Sequence, residues 1–436
     1  MMQTTDLRGR ALSSAQLLAL IPRAVADVTA ASDAAEALID DVRRRGSAAL
    51  LDQAERFDHV RPATLRVPAD AIARAVAELD PLVRAALEES IARVTVSSRA
   101  QVPAAQVTHP APGATIEQRW QPVARAGVYV PGGKAVYPSS VAMNVVPAQV
   151  AGVGSIALVS PAQAEFGGNV HPAILAAAGL LGIDEVYAIG GAGAIGALAY
   201  GVDDLGLEPV QVITGPGNNF VAAAKRLVRG RVGIDAEAGA TEILVIADDS
   251  ADATFVAVDL ISQAEHDEEA SAVLVTDSPA FAERVSAEVD RLAPLTHSAE
   301  RVATALGGPQ SQIFLVDDLA GAVAFSNAYG PEHLEIQTSR DEEVLAGIEN
   351  AGAVFVGPHT PVSLGDYLAG SNHVLPTGGQ ARYSPGLGAY TFLRPQQIVT
   401  YSAEPLRDVV DRLVALSKAE RLPAHGEAVS ARFDRP

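Results

Sequence analysis

The stretch "AGVYVPGGKAVYPSSVAMNVVPAQVAGVGSIALVS" (residues 126–160) decides the fold. It opens and closes on short apolar runs, "AGVYV" and "SIALVS". A strand with one face in water alternates apolar and polar residues, whereas a strand covered on both faces reads as an unbroken apolar run. Between the two runs lie a Gly/Pro-rich loop, "PGGKAVYPSS", and an Ala/Val-rich helix, "VAMNVVPAQVAGV". Strand, loop, helix and strand make the repeating unit of a parallel sheet with helices on its faces.

Working outward, the rhythm persists. "HPAILAAAGLLG" (171–182) is a helix, "EVYAI" (185–189) a strand and "AIGALAYG" (194–201) a helix. "PVQVIT" (209–214) is a strand leading into the helix "GPGNNFVAAAKRLV" (215–228). The pattern restarts at "TEILVIAD" (241–248), with a helix at 255–266, a strand at 271–278 and a helix at 280–292. "QIFLVDD" (312–318) and "GAVFVG" (352–357) are further strands. The expectation is therefore an α/β protein of two three-layer α/β/α, Rossmann-like lobes, joined near residues 230–240. The lobes are assigned as 26–128 with 240–382 and as 129–239. A helical arm is expected over residues 1–25, and an amphipathic helical tail over 383–436. Pro103, Pro110, Pro112 and Gly113 mark a loop before the probable strand "TIEQRWQPV".

Composition narrows the function. The chain has 436 residues, 48% of them hydrophobic and 19% charged, as a folded protein with large cores requires. A formal net charge of -20 repels phosphate backbones, which argues against a nucleic-acid partner. There are no cysteines, which excludes disulfides, iron–sulfur clusters and thiolate zinc sites. A metal would have to be held by nitrogen and oxygen ligands. The first 25 residues lack the charged start and unbroken apolar core of a signal peptide. The longest apolar run, 186–202, is broken by glycines and flanked by Asp184, Glu185, Asp203 and Asp204, so it is not a membrane span. A soluble cytoplasmic protein is expected.

Several loops fall where open parallel sheets bind ligands, at the carboxyl ends of strands. Gly191, Gly193 and Gly196 form a G-x-G-x-x-G at the start of a helix, which could carry a pyrophosphate. The next strand, however, ends without the acidic residue that would hold a ribose hydroxyl. Tight helix–strand packing is the better reading of those glycines. "GPGNN" (215–219) is a second such loop, in which Asn218 is either a helix cap or a ligand contact. "YVPGGKAVYPSS" (129–140) is a third, and together the loops suggest a cleft for an extended ligand.

A second constellation carries nitrogen and oxygen donors. Gln263 and His266 stand three apart on one helical face. Asp366 and His373 lie in "GDYLAGSNHVLPTGG" (365–379), and Glu420 and His425 in "AERLPAHG" (419–426). Singly, each has a plain structural explanation as a solvated pair, a cap or a helix-end charge. As a set, they could form a metal site with positions left open for substrate. "YGPEHLEI" (329–336) adds adjacent Glu332 and His333.

"GVYVPGG", "GPGN", "DLISQAEH", "YGPEHLEI", "GDYLAGSNHVLPTGG" and the terminal E-x4-H occur in one order over residues 30–430. In this the chain resembles the histidinol dehydrogenases, whose two-lobed fold in turn resembles the aldehyde dehydrogenases. The resemblance implies a zinc- and NAD-dependent enzyme that converts L-histidinol through L-histidinal to L-histidine, the last step of histidine biosynthesis. It implies Gln263, His266, Asp366 and His425 as zinc ligands, Glu332 and His333 as the catalytic pair, and Thr241, His373 and Glu420 as substrate contacts. Tyr129 and Asn218 would touch NAD. It also implies a homodimer in which Glu420 and His425 complete the partner's site. Alcohol oxidation needs a base for the hydroxyl proton, a task suited to imidazole, and His333 is the expected base. Hydration of the aldehyde needs a water to be activated, and Glu332 is the expected group.

Two positions depart from the family pattern. Gly193 stands where the family usually has a glutamine that contacts NAD, which puts that contact in doubt. Thr241, in "AGATE", stands for the usual serine. The alternatives are a related zinc/NAD dehydrogenase acting on another small polar alcohol, such as a sulfonated diol, and an inactive scaffold protein. Retained His373 and Glu420 favour histidinol over the first. The intact base, carboxylate and ligand set disfavours the second.

Overall fold

The computed structural model describes residues 2–20, 23, 28–132, 136–237 and 239–433. The chain forms two compact units, residues 1–101 with 123–392, and residues 102–122 with 393–436. The first unit contains two all-parallel sheets. One has six strands in the order Gln3–Asp6, Gln312–Leu315, Ser271–Thr276, Glu242–Ala247, His333–Gln337 and Ala353–Val356. The other has five, in the order Val186–Ala188, Ser155–Ser160, Arg125–Tyr129, Val212–Thr214 and Gly233–Ile234.

The apolar runs behave as read. Ile243, Val245 and Leu274 on one face of the six-stranded sheet are buried with Val256, Leu260 and Phe281 of the covering helices. Leu244, Ile246 and Val273 on the other face are buried with Phe325 of the helix Leu319–Tyr329. The five-stranded sheet buries Ala157, Val159 and Ile213 with Ile195 and Ala223 of its own helices. The helices that follow strands also carry the expected signals. Asp252 caps Ala253–Ala264 by accepting from the Thr254 and Phe255 amides, and Gly330 closes Leu319–Tyr329 in the left-handed conformation.

Four expectations require correction. Residues 1–25 are not simply a helical arm, because Gln3–Asp6 is a strand paired in parallel with Gln312–Leu315 and only Ser14–Leu20 is helical. Four residues show no period, and this strand exists through its distant partner. Met1, Ile21, Pro22, Ala24 and Val25 lie outside the described residues. The helices Val28–Arg45 and Ser47–Phe57 pack against the five-stranded sheet, with Ala35, Ile39 and Leu50 in its core, although they were assigned to the other lobe. Residues 383–436 are not wholly helical, since Leu393–Tyr401 is a nine-residue strand. It pairs antiparallel with Ala114–Pro122, which pairs in turn with Gln106–Ala111, the segment read as a loop. Pro110 is tolerated there because the strand is at the edge, with a register shift between Thr108 and Ala111. This three-stranded sheet and the helices Val410–Ala419 and Pro423–Ser430 make the second unit.

A buried carboxyl pair interrupts the apolar packing of the six-stranded sheet. Glu335, fully buried in the middle of its strand, lies against Asp259 of the covering helix. Gln337 Nε2 donates to both, at 3.1 Å to Glu335 and 3.3 Å to Asp259. Two buried carboxyls held to one amide resist being ionised together. Burial, then the Asp259 charge, pushes Glu335 up to about 9, and burial pushes Asp259 up to about 6. A raised carboxyl pKa stabilises the fold below its unfolded value and loses that contribution as pH rises through the folded value. Between about pH 6 and 9 this one group should lower stability by about 1.4 kcal/mol per pH unit. Glu335→Gln, which has no proton to lose, should therefore show a Tm advantage over the parent that widens from pH 6 to 9 in thermal melts. A gap independent of pH would refute the raised Glu335 carboxyl.

Candidate active site

The functional cleft lies within the first unit, where the carboxyl ends of the five-stranded sheet meet the amino ends of the six-stranded sheet. Tyr129 ends one strand and Gly215–Asn218 follows another, while Thr241 precedes Glu242–Ala247 and His333 begins His333–Gln337. The cavity has a volume of about 1350 Å³, and Tyr129, Asn218, Thr241, His266, Glu332, His333, Asp366 and His373 are on its wall.

Glu332 and His333 are both buried and held from several sides. One Glu332 carboxylate oxygen accepts from the Thr241 hydroxyl at 2.6 Å and from the Glu242 amide at 2.9 Å. Thr241 in turn accepts from Gln263 Nε2 at 2.6 Å. The Thr241 hydroxyl thus couples Gln263 to Glu332. His333 Nδ1 is 3.0 Å from the Glu242 carbonyl, which can only accept, so Nδ1 carries the hydrogen. His333 Nε2 is buried without a partner, among the described residues. With Nδ1 so engaged, Nε2 is the ring nitrogen left to meet a ligand in the cavity. Burial pushes the Glu242 carboxyl itself up to about 7, against the pull of Arg23, whose Nε is 3.6 Å away.

His373 is fixed in the same manner. Its Nδ1 donates to the Asp366 carbonyl at 2.9 Å, and its Nε2 accepts from the Ser140 hydroxyl at 3.1 Å. Burial lowers its pKa, and the neighbouring His333 and His266 act in the same direction against Asp366. His266 follows the helix Ala253–Ala264 that carries Gln263, and Asp366 lies in the helix Val362–Tyr367.

The loop that follows the strand Val212–Thr214 is tied down by a buried ion pair. Lys225, 1% exposed, pairs with Asp235 and donates to the Gly215 carbonyl at 3.0 Å. Asp235 accepts from the Gly215 amide at 2.8 Å. Gly215 has φ +115°, and a methyl built on it would fall 1.9 Å from the Tyr129 carbonyl, so only glycine fits. Asn218 Oδ1 caps the helix Asn219–Val228, accepting from Phe220 and Val221 at 3.1 Å each. Tyr129 Oη accepts from the Gly191 amide at 3.2 Å. In the G-x-G-x-x-G, a methyl on Gly193 would fall 2.0 Å from Gln53 Oε1 and one on Gly196 3.2 Å from Ile39. Those two glycines serve packing, but against the helices Ser47–Phe57 and Val28–Arg45 rather than against a strand as expected, and of the three only Gly191, with φ +62° and open space beyond it, faces the cavity. Gly133, Lys134 and Ala135 of the 129–140 loop lie outside the described residues.

A family model described as histidinol dehydrogenase matches residues 21–433. The chain belongs to the histidinol dehydrogenase family. The histidinol dehydrogenase of Leifsonia xyli subsp. xyli is 70% identical over 433 residues, covering 99% of each chain. That of Thermobifida fusca is 56% identical over 430 residues, covering 99% of this chain and 97% of its own. The crystal structure of histidinol dehydrogenase from Elizabethkingia anophelis superposes with a TM-score of 0.92 at 32% identity, covering 99% of this chain and 98% of that one.

The fold of this family thus gathers, in one unit, seven residues singled out from motifs: Thr241, Gln263, His266, Glu332, His333, Asp366 and His373. Glu420 and His425 belong to the second unit, at the end of Val410–Ala419 and in Pro423–Ser430. Among the described residues, no three His, Asp or Glu side chains close round one point. Gln263, His266 and Asp366 are an amide oxygen, an imidazole and a carboxylate, a donor set that fits a borderline dication and is left one ligand short. Sequence reasoning missed Glu242, whose carbonyl orients the His333 ring, and Ser140, which holds His373. A backbone carbonyl leaves no trace in residue type, and Ser140 is 233 positions from its partner.

Among the described residues, no helix is long and apolar enough to cross a membrane.

Proposed function

We propose that this chain oxidises L-histidinol to L-histidine through L-histidinal, with two NAD reduced per turnover and a zinc ion in the site. The observation that carries this reading is the His333 ring, held by the Glu242 carbonyl with a buried, unpartnered Nε2 at the cavity wall. His333 takes the hydroxyl proton as hydride leaves the substrate carbon, and neutral Nε2 is the accepting atom. Glu332, pinned through one oxygen, keeps the other for the water that adds to the aldehyde. The hydrated aldehyde then loses its second hydride, again with a proton passing to a base. When bound, NAD is the acceptor of both hydrides, and zinc supplies the positive charge that fixes the amine and imidazole of the substrate.

Gln263, His266, Asp366 and His425 would hold the zinc. Thr241, His373 and Glu420 would face the substrate. Tyr129 and Asn218 would line the path of NAD. A homodimer in which Glu420 and His425 act on the partner's site would supply the ligand missing from the first unit. A cytoplasmic location suits a biosynthetic enzyme of this kind.

The test is the NADH yield per mole of L-histidinol, before and after chelation and zinc return. Two NADH per histidinol, lost on chelation and restored by zinc, is the expected result. No turnover by folded, zinc-loaded protein would transfer the assignment to another small polar alcohol.

A further inference from the structure

The cavity extends well beyond the catalytic pair. Its far end is closed by the helices Val28–Arg45 and Ser47–Phe57, through Leu38, Leu50 and Ala54, with Ile189 opposite. The rim there carries Asp58, the residue that caps the second of these helices. If the nicotinamide must reach His333, the other end of an extended dinucleotide falls here, past the Gly191 amide and the Tyr129 hydroxyl. The apolar wall suits a purine. What the strand order lacks is the carboxylate that ordinarily holds a ribose at the end of the next strand.

Asp58 supplies a carboxylate at that place from a different element. It is half-buried, and among the described residues its carboxylate has no hydrogen-bond or ion-pair partner. Burial pushes it up to about 6, with His59 opposing, so it is still ionised at neutral pH. Its helix is held in place by Gln53, which donates to the Leu38 carbonyl at 3.1 Å and whose Oε1 fills the space a side chain at position 193 would need. Glycine at 193 is therefore the condition for this helix, and its terminal carboxylate, to reach the cleft.

Resting on the NAD reading above, we infer that Asp58 is the coenzyme-selecting residue: its carboxylate accepts from the hydroxyls of the ribose that bears adenine, and its charge repels a phosphate esterified there. Arg44 and Arg56 line the same end of the cavity, and they would attract such a phosphate if Asp58 did not oppose it.

The test is calorimetric binding of NAD and NADP to the full chain, without histidinol, for the parent, Asp58→Asn and Asp58→Ser, with thermal melts to verify folding. The parent should prefer NAD by about a hundredfold or more, since like charges in a cleft cost several kcal/mol. Both variants should bind NAD about ten- to a hundredfold more weakly, the value of a charge-assisted hydrogen bond. They should also bind NADP better than the parent does, so that the preference collapses. A parent that binds NAD, with folded variants that keep its affinity and its preference, would overturn the role of Asp58 alone. A parent that binds neither dinucleotide would overturn the NAD reading itself, and this inference with it.

Discussion

His333→Asn should lower kcat for histidinol oxidation about a thousandfold, within the range of a lost general base. Asparagine is shorter and still polar, so the Glu242 carbonyl can keep a donor, but no titratable nitrogen remains at the cavity wall. Binding of NAD, measured by calorimetry without turnover, should be unchanged, because nothing His333 touches belongs to the loops at 190–191 or 215–218. Glu332→Gln makes the informative comparison. Its amide oxygen can still accept from Thr241 and Glu242, so the site should hold its shape. The oxidation of histidinal, which needs an added water, should fall further than the oxidation of histidinol. Equal loss of both half-reactions in Glu332→Gln, or a His333→Asn variant within tenfold of the parent, would remove these roles.

Lys225→Met should cost about 3–5 kcal/mol of stability, because it leaves Asp235 as an uncompensated buried charge. The same change removes the donor to the Gly215 carbonyl, so NAD affinity should fall along with Tm. The double variant Lys225→Met with Asp235→Leu should recover much of the melting temperature, since the charge left behind causes most of the loss. It should recover little of the NAD affinity, because the Gly215 loop then has neither tether. If Lys225→Met melted within about a degree of the parent, the pair would not be the clamp described here.

Much of this molecule was legible before its structure. The strands at 126–160 and 241–248 announce themselves because both faces are covered, which forces continuous apolar runs. Gln263 and His266 declare a shared face through helical spacing. Glu332, His333 and Asp366 are legible because their motifs come in a fixed order, which a random chain would not keep. What stayed hidden depends on partners far along the chain. The strand Gln3–Asp6 pairs with residues some 300 positions away, and Leu393–Tyr401 pairs with Ala114–Pro122. The Asp259–Glu335 pair joins a helix to a strand, and neither residue looks unusual in its own segment. Asp58 gives no such signal, because it follows the helix Ser47–Phe57, whereas a parallel sheet ordinarily offers its ribose-binding carboxylate at a strand end.

The strand that opens with His333 is hydrogen-bonded on both sides, to Glu242–Ala247 and to Ala353–Val356. Its amides therefore belong to the part of a protein that opens only when the whole sheet comes apart. His333 and the Glu242 carbonyl that orients its ring sit on adjacent strands of that ladder, so thermal fraying cannot separate them while the lobe survives. The loops at 190–191 and 215–218 lack that protection and depend on side-chain tethers. Heat should thus take coenzyme grip before it takes catalytic geometry, and the chemistry itself should end only with the fold.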